Sequence, residues 1–168
     1  MKRKIIMIAA LSFVLMGLVN VLTSGSKTKA QPMTARLQSD NQLTTENLSD
    51  YLELQTGKHV FYLDDGSADA EYISTSLLIP LGLEFENALP EIEPIAFKDS
   101  KMSVVGIKKS YKVESLPALV IVETVDDSGA FNVISSISYD KSQPFDSKQL
   151  REWFHDNGLW NAPYASAN

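Results

Sequence analysis

The sequence contains no cysteine among its 168 residues. This absence excludes disulfide bonds, catalysis by a thiolate and metal sites with thiolate ligands. It also excludes a lipoprotein anchor, which is attached through a cysteine. Histidine is almost as rare, because His59 and His155 are the only two. Few side chains are therefore left that could serve as a general base in nucleophilic catalysis.

Positive charge is also scarce after residue 30. All 21 aspartates and glutamates lie in residues 31–168, where they face 10 lysines and arginines and leave a net charge of −11. Such an acidic balance argues against nucleic-acid binding and against docking on an anionic membrane surface. Solubility alone explains the excess of acidic residues, so no basic partner is required.

The N-terminus has the composition of a membrane anchor. Lys2-Arg3-Lys4 precedes an uncharged, mostly apolar run over residues 5–22. At about 1.5 Å per residue this run spans roughly 27 Å, which is enough to cross the hydrocarbon layer. A cleaved signal peptide is the alternative, but its apolar region is usually shorter, about 7–15 residues. The basic cluster predicts a cytoplasmic N-terminus and an extracytoplasmic remainder.

We therefore divide the chain into four segments. Residues 1–26 form the basic start and the single-pass anchor, and residues 27–43 form a polar tether. Residues 44–160 are enough for one folded domain. Residues 161–168 are predicted to be a disordered tail.

Hydrophobic patterning predicts that helices and strands alternate in the domain. The first helix is expected to start at Thr44 as its N-cap, and Pro80 is expected to end or kink the second helix. The polar stretch Gly82–Pro94 is interpreted as an extended connection or a short helix. The predicted strands are His59–Leu63, Ile95–Phe97, Ala118–Val122 and Phe131–Tyr139; the other predicted helices are Ala68–Ile79, Ile107–Tyr111 and one capped by Asp146.

One stretch of sequence resembles a known fold. Tyr111, Val113 and Pro117 form the pattern Tyr-x-Val-x-x-x-Pro, and the β-branched run Ala118–Val122 follows it. Such a run is typical of a strand buried on both faces. The pattern resembles the thioredoxin-like fold, in which this proline is usually cis, and the resemblance extends more weakly over residues 44–159. It implies an α/β domain with a central mixed sheet flanked by helices.

The resemblance also shows where an enzyme of this fold would carry Cys-x-x-Cys. The equivalent residues lie in Gly66–Ala70, with either Gly66 and Asp69 or Ser67 and Ala70 at the two cysteine positions. Neither register contains sulfur. The resemblance therefore implies the fold without thiol–disulfide exchange, and we predict that the protein is not an enzyme.

Other chemistry at this turn is considered and set aside. Asp64, Asp65 and Asp69 could bind a divalent cation, but their spacing matches no known loop motif. Ser67 could be a nucleophile, but the sequence offers it no base, and an N-cap is the simpler role. We expect neither a metal nor another cofactor. Among the aromatic residues, Tyr72, Tyr111 and Trp153 are predicted to be core or core-edge residues, and Trp160 to be exposed.

The resemblance suggests one route to a function. In the thioredoxin-like fold the loop before the proline lies against the helix start and pairs its backbone with extended peptides. The hypothesis is that Ser67, Ala68, Asp69, Leu116 and Pro117 border a groove that binds polypeptides. The alternative is that Pro117 is only structural.

These expectations combine into a membrane-anchored, redox-inactive, protein-binding domain on the outer side of the membrane. The arrangement is similar to the small thioredoxin-like subunits of conjugative type IV secretion systems in Gram-positive bacteria. It implies other membrane or cell-wall-associated proteins as partners. The alternative is an accessory or chaperone-like factor for a secreted peptide such as a bacteriocin.

Overall fold

The computed structural model describes residues 43–84 and 88–160. The predicted anchor, residues 27–42 of the tether and the predicted tail lie outside the described residues. Within the described part of the chain, no helix has both the length and the apolar character needed to cross a membrane.

Strands and helices alternate through the described residues in the order expected from the resemblance, with one additional short strand at the start. In the helical region that follows the strand Lys58–Asp64, a π-helical segment, Ile73–Leu78, separates two α-helices. The strands are β1 Leu43–Thr44, β2 Lys58–Asp64, β3 Ile92–Ala96, β4 Ala118–Thr124 and β5 Phe131–Ser138. The α-helices are α1 Leu48–Leu54, α2 Ala68–Tyr72, α3 Ile79–Glu84, α4 Val104–Tyr111 and α5 Ser147–Asp156.

The five strands form one mixed sheet in the order β1-β3-β2-β4-β5. β1, β3 and β2 are parallel, whereas β4 is antiparallel to both of its neighbours. The predicted central mixed sheet flanked by helices is thereby confirmed. Because β2 and β4 run in opposite directions, the end of β2 and the start of β4 lie at the same end of the sheet, with Leu63 opposite Ala118.

Alternate side chains of the central strands supply two hydrophobic cores, one on each face of the sheet. Val60 and Tyr62 face the first core, which they form with α2, the π-helical segment, α3 and α5. Phe61 and Leu63 face the second core, which they form with α1 and α4. The run Ala118–Val122 is buried throughout, as predicted. Burial of each such large side chain stabilises the fold by about 1.5–3 kcal/mol.

The predicted helix start at Thr44 is wrong. Thr44 lies in β1 opposite Ala96, and α1 begins only at Leu48. The backbone N–H of Thr44 donates to Asn47 Oδ1 over 2.8 Å. Local sequence favours Thr44 as a helix cap, but its pairing with Ala96 places it in a strand, because tertiary contacts override local propensity. Leu43, assigned to the tether, belongs to the same strand and packs against the second core.

Pro80 does not end the helical region, so that part of its prediction is wrong: α3 includes Pro80 and continues to Glu84. The N–H of Ile79 bonds to the carbonyl of Ser74, five residues earlier, in the wide turn of a π-helix. Proline has no N–H and its ring clashes with the carbonyl four residues earlier in a regular α-helix. A π-helical turn directly before Pro80 changes this spacing and lets the chain stay helical.

The stretch Gly82–Pro94 consequently begins in a helix and ends in a strand. β3 starts at Ile92, three positions before the predicted Ile95, and includes Pro94. Residues 85–87 lie outside the described residues.

The last helix agrees with the sequence. Asp146 caps the helix as predicted and forms a capping box with Gln149, with both hydrogen bonds at 2.9 Å. Phe145 and Leu150 are buried in the same core. Gly158, with φ of +68°, follows the end of the helix, where glycine is common.

Candidate functional site

The candidate groove is defined by Ser67, Ala68 and Asp69 at the start of α2 and by Leu116 and Pro117 before β4. The pairing of Leu63 with Ala118 places the β2–α2 turn beside the loop that precedes β4. Since β4 lies between β2 and β5, this loop lies between the ends of those two strands. The structure thus brings both predicted halves of the groove to one end of the sheet.

The aspartates of the β2–α2 turn hold the turn itself. Asp64 Oδ1 accepts a hydrogen bond from the N–H of Gly66 at 2.7 Å, and Asp65 Oδ1 accepts one from Ser67 at 3.1 Å. Gly66 has φ of +71°, a conformation that glycine adopts without strain. Partial burial raises the pKa of Asp64, an effect that the hydrogen bond from Gly66 opposes. Backbone contacts of this kind are those expected of an Asp-rich turn.

Ser67 is the N-cap of α2. Its Oγ accepts a hydrogen bond from the N–H of Ala70 at 3.2 Å. Within the described residues neither histidine hydrogen-bonds to Ser67: His59 lies at the opposite end of β2, where Nε2 contacts the carbonyl oxygen of Gln55. The geometry therefore gives Ser67 a capping role and no base for nucleophilic catalysis.

Asp69 forms an ion pair that the sequence did not predict. Its Oδ2 lies 3.0 Å from Nζ of Lys141, which belongs to the segment after β5. Because β4 separates β2 from β5, the pair crosses the end of the sheet at the start of β4. The sequence contains no signal for this contact, because 72 positions separate the two residues. Among the described residues no group of three acidic or histidine side chains is arranged to hold a metal ion.

The loop before β4 is held in place by the residues on either side of Leu116. The Leu116–Pro117 peptide is cis. Pro117 is buried and its carbonyl accepts from the N–H of Tyr139 at 3.0 Å, while Ser115 Oγ donates to the carbonyl of Tyr139 at 2.7 Å. The Leu116 side chain packs against the second core. No described residue hydrogen-bonds to the backbone N–H or C=O of Leu116.

An aromatic surface extends the candidate groove. Tyr72 is 46% exposed, so the prediction that it belongs to the core or its edge is wrong. It lies one position before the buried Ile73, about 100° around the helix from it. Its ring lies 6.1 Å from that of Tyr139, which in turn packs edge-on against Phe145 at 5.5 Å.

The other predicted aromatic positions are less exposed. Tyr111 is buried and Trp153 is half-buried against the first core, as predicted. Trp160 is half-buried against the same core and not exposed as predicted.

Similar solved structures are thioredoxins. Plasmodium falciparum thioredoxin is 9% identical, with 67% of this chain and 80% of that chain covered and a TM-score of 0.41. Mitochondrial thioredoxin 3 from Saccharomyces cerevisiae is 14% identical, with coverages of 67% and 90% and a TM-score of 0.42. Trichomonas vaginalis thioredoxin is 12% identical, with coverages of 71% and 99% and a TM-score of 0.40. No protein-family model matches the chain, and no curated protein matches its sequence.

The mixed sheet is thioredoxin-like in its strand order, in the helices on both of its faces and in the cis proline before β4. The chain has no cysteine, so it offers no thiol for thiol–disulfide exchange. Within the described residues, this end of the sheet carries a capped helix start, an ion pair and the backbone of Leu116, to which no described residue bonds.

Proposed function

We propose that this protein is a non-catalytic, membrane-anchored thioredoxin-like domain that binds an extended polypeptide on the outer side of the membrane. The observation that carries the proposal is that no described residue hydrogen-bonds to the backbone N–H or C=O of Leu116. One N–H and one C=O at the end of a sheet can pair with the main chain of an added strand. This mode of recognition requires no catalytic side chain.

The surroundings of Leu116 suit such a partner. Its neighbours are fixed, because Ser115 and Pro117 are both bonded to Tyr139, and a fixed backbone loses little conformational freedom on binding. Tyr72 provides exposed aromatic area, and its ring lies 6.1 Å from that of Tyr139, the residue bonded to Ser115 and Pro117. Aromatic side chains of this kind are enriched at protein interfaces.

The same residues support a binding role over catalysis. Ser67 is used as a helix cap, and the carboxylates of Asp64 and Asp65 accept hydrogen bonds from the turn. Asp69 is paired with Lys141. Ser67 and the three aspartates therefore have structural roles, in line with the expectation that this turn carries neither a nucleophile nor a metal ion.

The cellular setting of the proposal rests on the sequence. The basic start and the apolar run over residues 5–22 support a single-pass anchor with an extracytoplasmic domain. This architecture is similar to that of small thioredoxin-like subunits of Gram-positive conjugative type IV secretion systems. We propose a scaffold role in such a cell-envelope assembly, with membrane or wall-associated proteins as partners.

In-cell photo-crosslinking of the full chain tests the proposal. A photo-reactive amino acid replaces Leu116 or Ala68, and Leu54 serves as the control, because it is 86% exposed at the other end of the domain. We expect both groove positions, and not Leu54, to capture one membrane or wall-associated protein. Capture of a short secreted peptide would instead support the accessory-factor role. Absence of specific capture at both groove positions would refute the groove as a binding surface.

A further inference from the structure

A short segment after β3 concentrates the positive charge of an otherwise acidic domain. Residues 98–112 contain five of the ten lysines and arginines found in residues 31–168, and Asp99 is their only carboxylate, for a net charge of +4. Within the described part of the chain, none of these lysines forms an ion pair. The lysines are Lys98, Lys101, Lys108, Lys109 and Lys112.

The same segment exposes large apolar side chains. Met102 is 40% exposed, Val104 61% and Val105 76%. Single exposed apolar residues are common on protein surfaces, but three within four positions form a local apolar surface.

The helix geometry brings apolar and basic side chains onto one face. Ile107 and Tyr111 are buried and mark the inner face of α4. Val105 and Lys109 are one turn apart on the opposite face. Lys112 follows the end of α4 and has a left-handed backbone conformation, with φ of +51°. We call the exposed side chains of residues 101–112 the α4 patch.

We propose that the α4 patch docks on a membrane surface that carries anionic lipid headgroups. Exposed apolar side chains can enter the interface between headgroups and acyl chains, and lysines beside them are attracted to anionic lipids. The net charge of the domain argues against such docking, but charges act over a Debye length of only about 8 Å in physiological salt. Of the bordering carboxylates, Glu46 is engaged with the backbone N–H of Lys101 at 3.5 Å.

The position of the patch in the fold supports a membrane as its partner. The described chain begins beside this segment, where Thr45 Oγ1 and Ser100 Oγ form a hydrogen bond of 2.8 Å. In the proposed function, on which this step rests, the tether and the membrane anchor precede Leu43. Because β2 and β3 are parallel, the patch and the candidate groove lie at the same end of the sheet. Docking would therefore present the groove at the membrane surface.

A site-specific lipid-labelling experiment tests the proposal. The chain has no natural cysteine, so Val105→Cys creates a single thiol for a photo-reactive diazirine probe. Leu54→Cys provides a control probe at an exposed apolar position near the opposite end of the sheet. The full chain is reconstituted in vesicles of phosphatidylcholine alone or of phosphatidylcholine mixed with phosphatidylglycerol, and adducts are identified by mass spectrometry.

We expect lipid adducts at position 105, and few at position 54, only in vesicles with phosphatidylglycerol. Each lysine near an anionic surface strengthens binding about fivefold, so Lys101→Gln with Lys109→Gln should remove most of this labelling. Lys58→Gln with Lys148→Gln changes the net charge equally elsewhere and should retain it. High salt should abolish the labelling.

The outcomes separate the patch from the anchor. Flotation of the vesicles in high salt reports the anchor, because an inserted helix does not depend on surface charge. Three results would overturn the docking of the patch and leave the anchor intact, provided that the protein floats in high salt. They are the absence of lipid adducts at position 105, equal labelling at positions 105 and 54, and adducts only to another protein. If flotation is lost in high salt and labelling at position 105 requires phosphatidylglycerol, docking of the patch is supported and the membrane anchor is overturned. Absence of flotation at any salt concentration overturns both.

Discussion

Asp69 and Lys141 form a 3.0 Å ion pair that joins the start of α2 to the segment after β5. The pair crosses the end of the sheet at the start of β4, where the candidate groove lies. The Lys141 side chain is 74% exposed, so solvent screens the attraction. We therefore expect the pair to contribute little to the stability of the fold and to act mainly on access to the candidate groove.

Removal of this ion pair should open the groove without unfolding the domain. We expect Lys141→Gln to change the free energy of unfolding by less than about 1 kcal/mol, since exposed pairs contribute little. Photo-crosslinking from Leu116 should increase, because the loop becomes more accessible. Lys148→Gln, which removes an exposed pair with Glu152, is the matched control. Unchanged or lower crosslinking in Lys141→Gln relative to this control would contradict the prediction.

Substitution of Ser67 should change the stability of the fold through its role as a helix cap, without affecting partner capture. Ser67→Ala removes the hydrogen bond to the N–H of Ala70, and loss of an N-cap costs about 0.5–2 kcal/mol. Ser67→Asp supplies another capping oxygen and should retain wild-type stability. Urea unfolding of the detergent-solubilised full chain measures both variants. A large loss of partner capture in Ser67→Asp, with stability retained, would show that the hydroxyl itself contacts the partner.

Two glycines with similar backbone conformations should respond differently to alanine. Gly129 has φ of +73° and Gly158 has φ of +68°. Either Ala substitution places a side chain at positive φ, which costs about 1–3 kcal/mol. At Gly129 the new Cβ would also lie 2.6 Å from the carbonyl oxygen of Ser49, whereas nothing lies within 4 Å at Gly158.

We therefore expect Gly129→Ala to lose more stability than Gly158→Ala, by about 1–3 kcal/mol, the usual cost of overpacking. Thermal or urea unfolding of the two variants side by side provides the comparison. Equal losses would mean that the hairpin moves away from α1 without cost.

Alkaline pH should destabilise the fold through its buried tyrosines. Burial raises the pKa of Tyr111 to about 12 from an ordinary value near 10. Between these pH values the unfolded chain releases a proton that the folded chain retains. The contribution of Tyr111 to the free energy of unfolding is therefore complete below about pH 10 and is lost as the pH rises towards 12. Burial also raises the pKa of Tyr62, which acts in the same direction.

Tyr111→Phe should reduce this loss by on the order of 2 kcal/mol between about pH 9 and pH 12. The ring contacts with Phe97 and Phe131 remain available to phenylalanine. The measurement is the free energy of unfolding as a function of pH for wild type and variant. Parallel curves in this range would contradict the assignment.

Loss of the exposed aromatic surface should weaken partner binding. Tyr72→Ala removes a ring that is 46% exposed beside the groove, and we expect capture from Leu116 to fall about fivefold, which corresponds to about 1 kcal/mol. Leu54→Ala, at an 86% exposed position elsewhere, should leave capture unchanged. Equal effects of the two substitutions would exclude a specific role for Tyr72.

Much of the fold could be predicted where local sequence and tertiary packing favour the same structure. The run Ala118–Val122 contains only apolar residues, and only a strand covered on both faces buries all of them. Asp146 and Gln149 satisfy each other's backbone groups within one turn, so the start of α5 needs no distant partner.

Prediction failed where the surrounding structure changed the local preference. Thr44 is a good helix cap by type, but Ala96 pairs with it in the sheet. Pro80 ends a regular α-helix, but a π-helical turn before it keeps the chain helical. Tyr72 lies in an apolar pattern, yet the buried face of α2 is centred on neighbouring residues.

The candidate site shows the same division. The absence of cysteine, known from the sequence, is sufficient to remove thiol–disulfide exchange, because that chemistry needs sulfur. The approach of the β2–α2 turn to the loop before β4 and the ion pair between Asp69 and Lys141 depend on how strands and helices are arranged. Composition and local pattern determine which chemistry is possible, whereas long-range pairing decides which side chains meet, because it joins residues that are distant in the sequence.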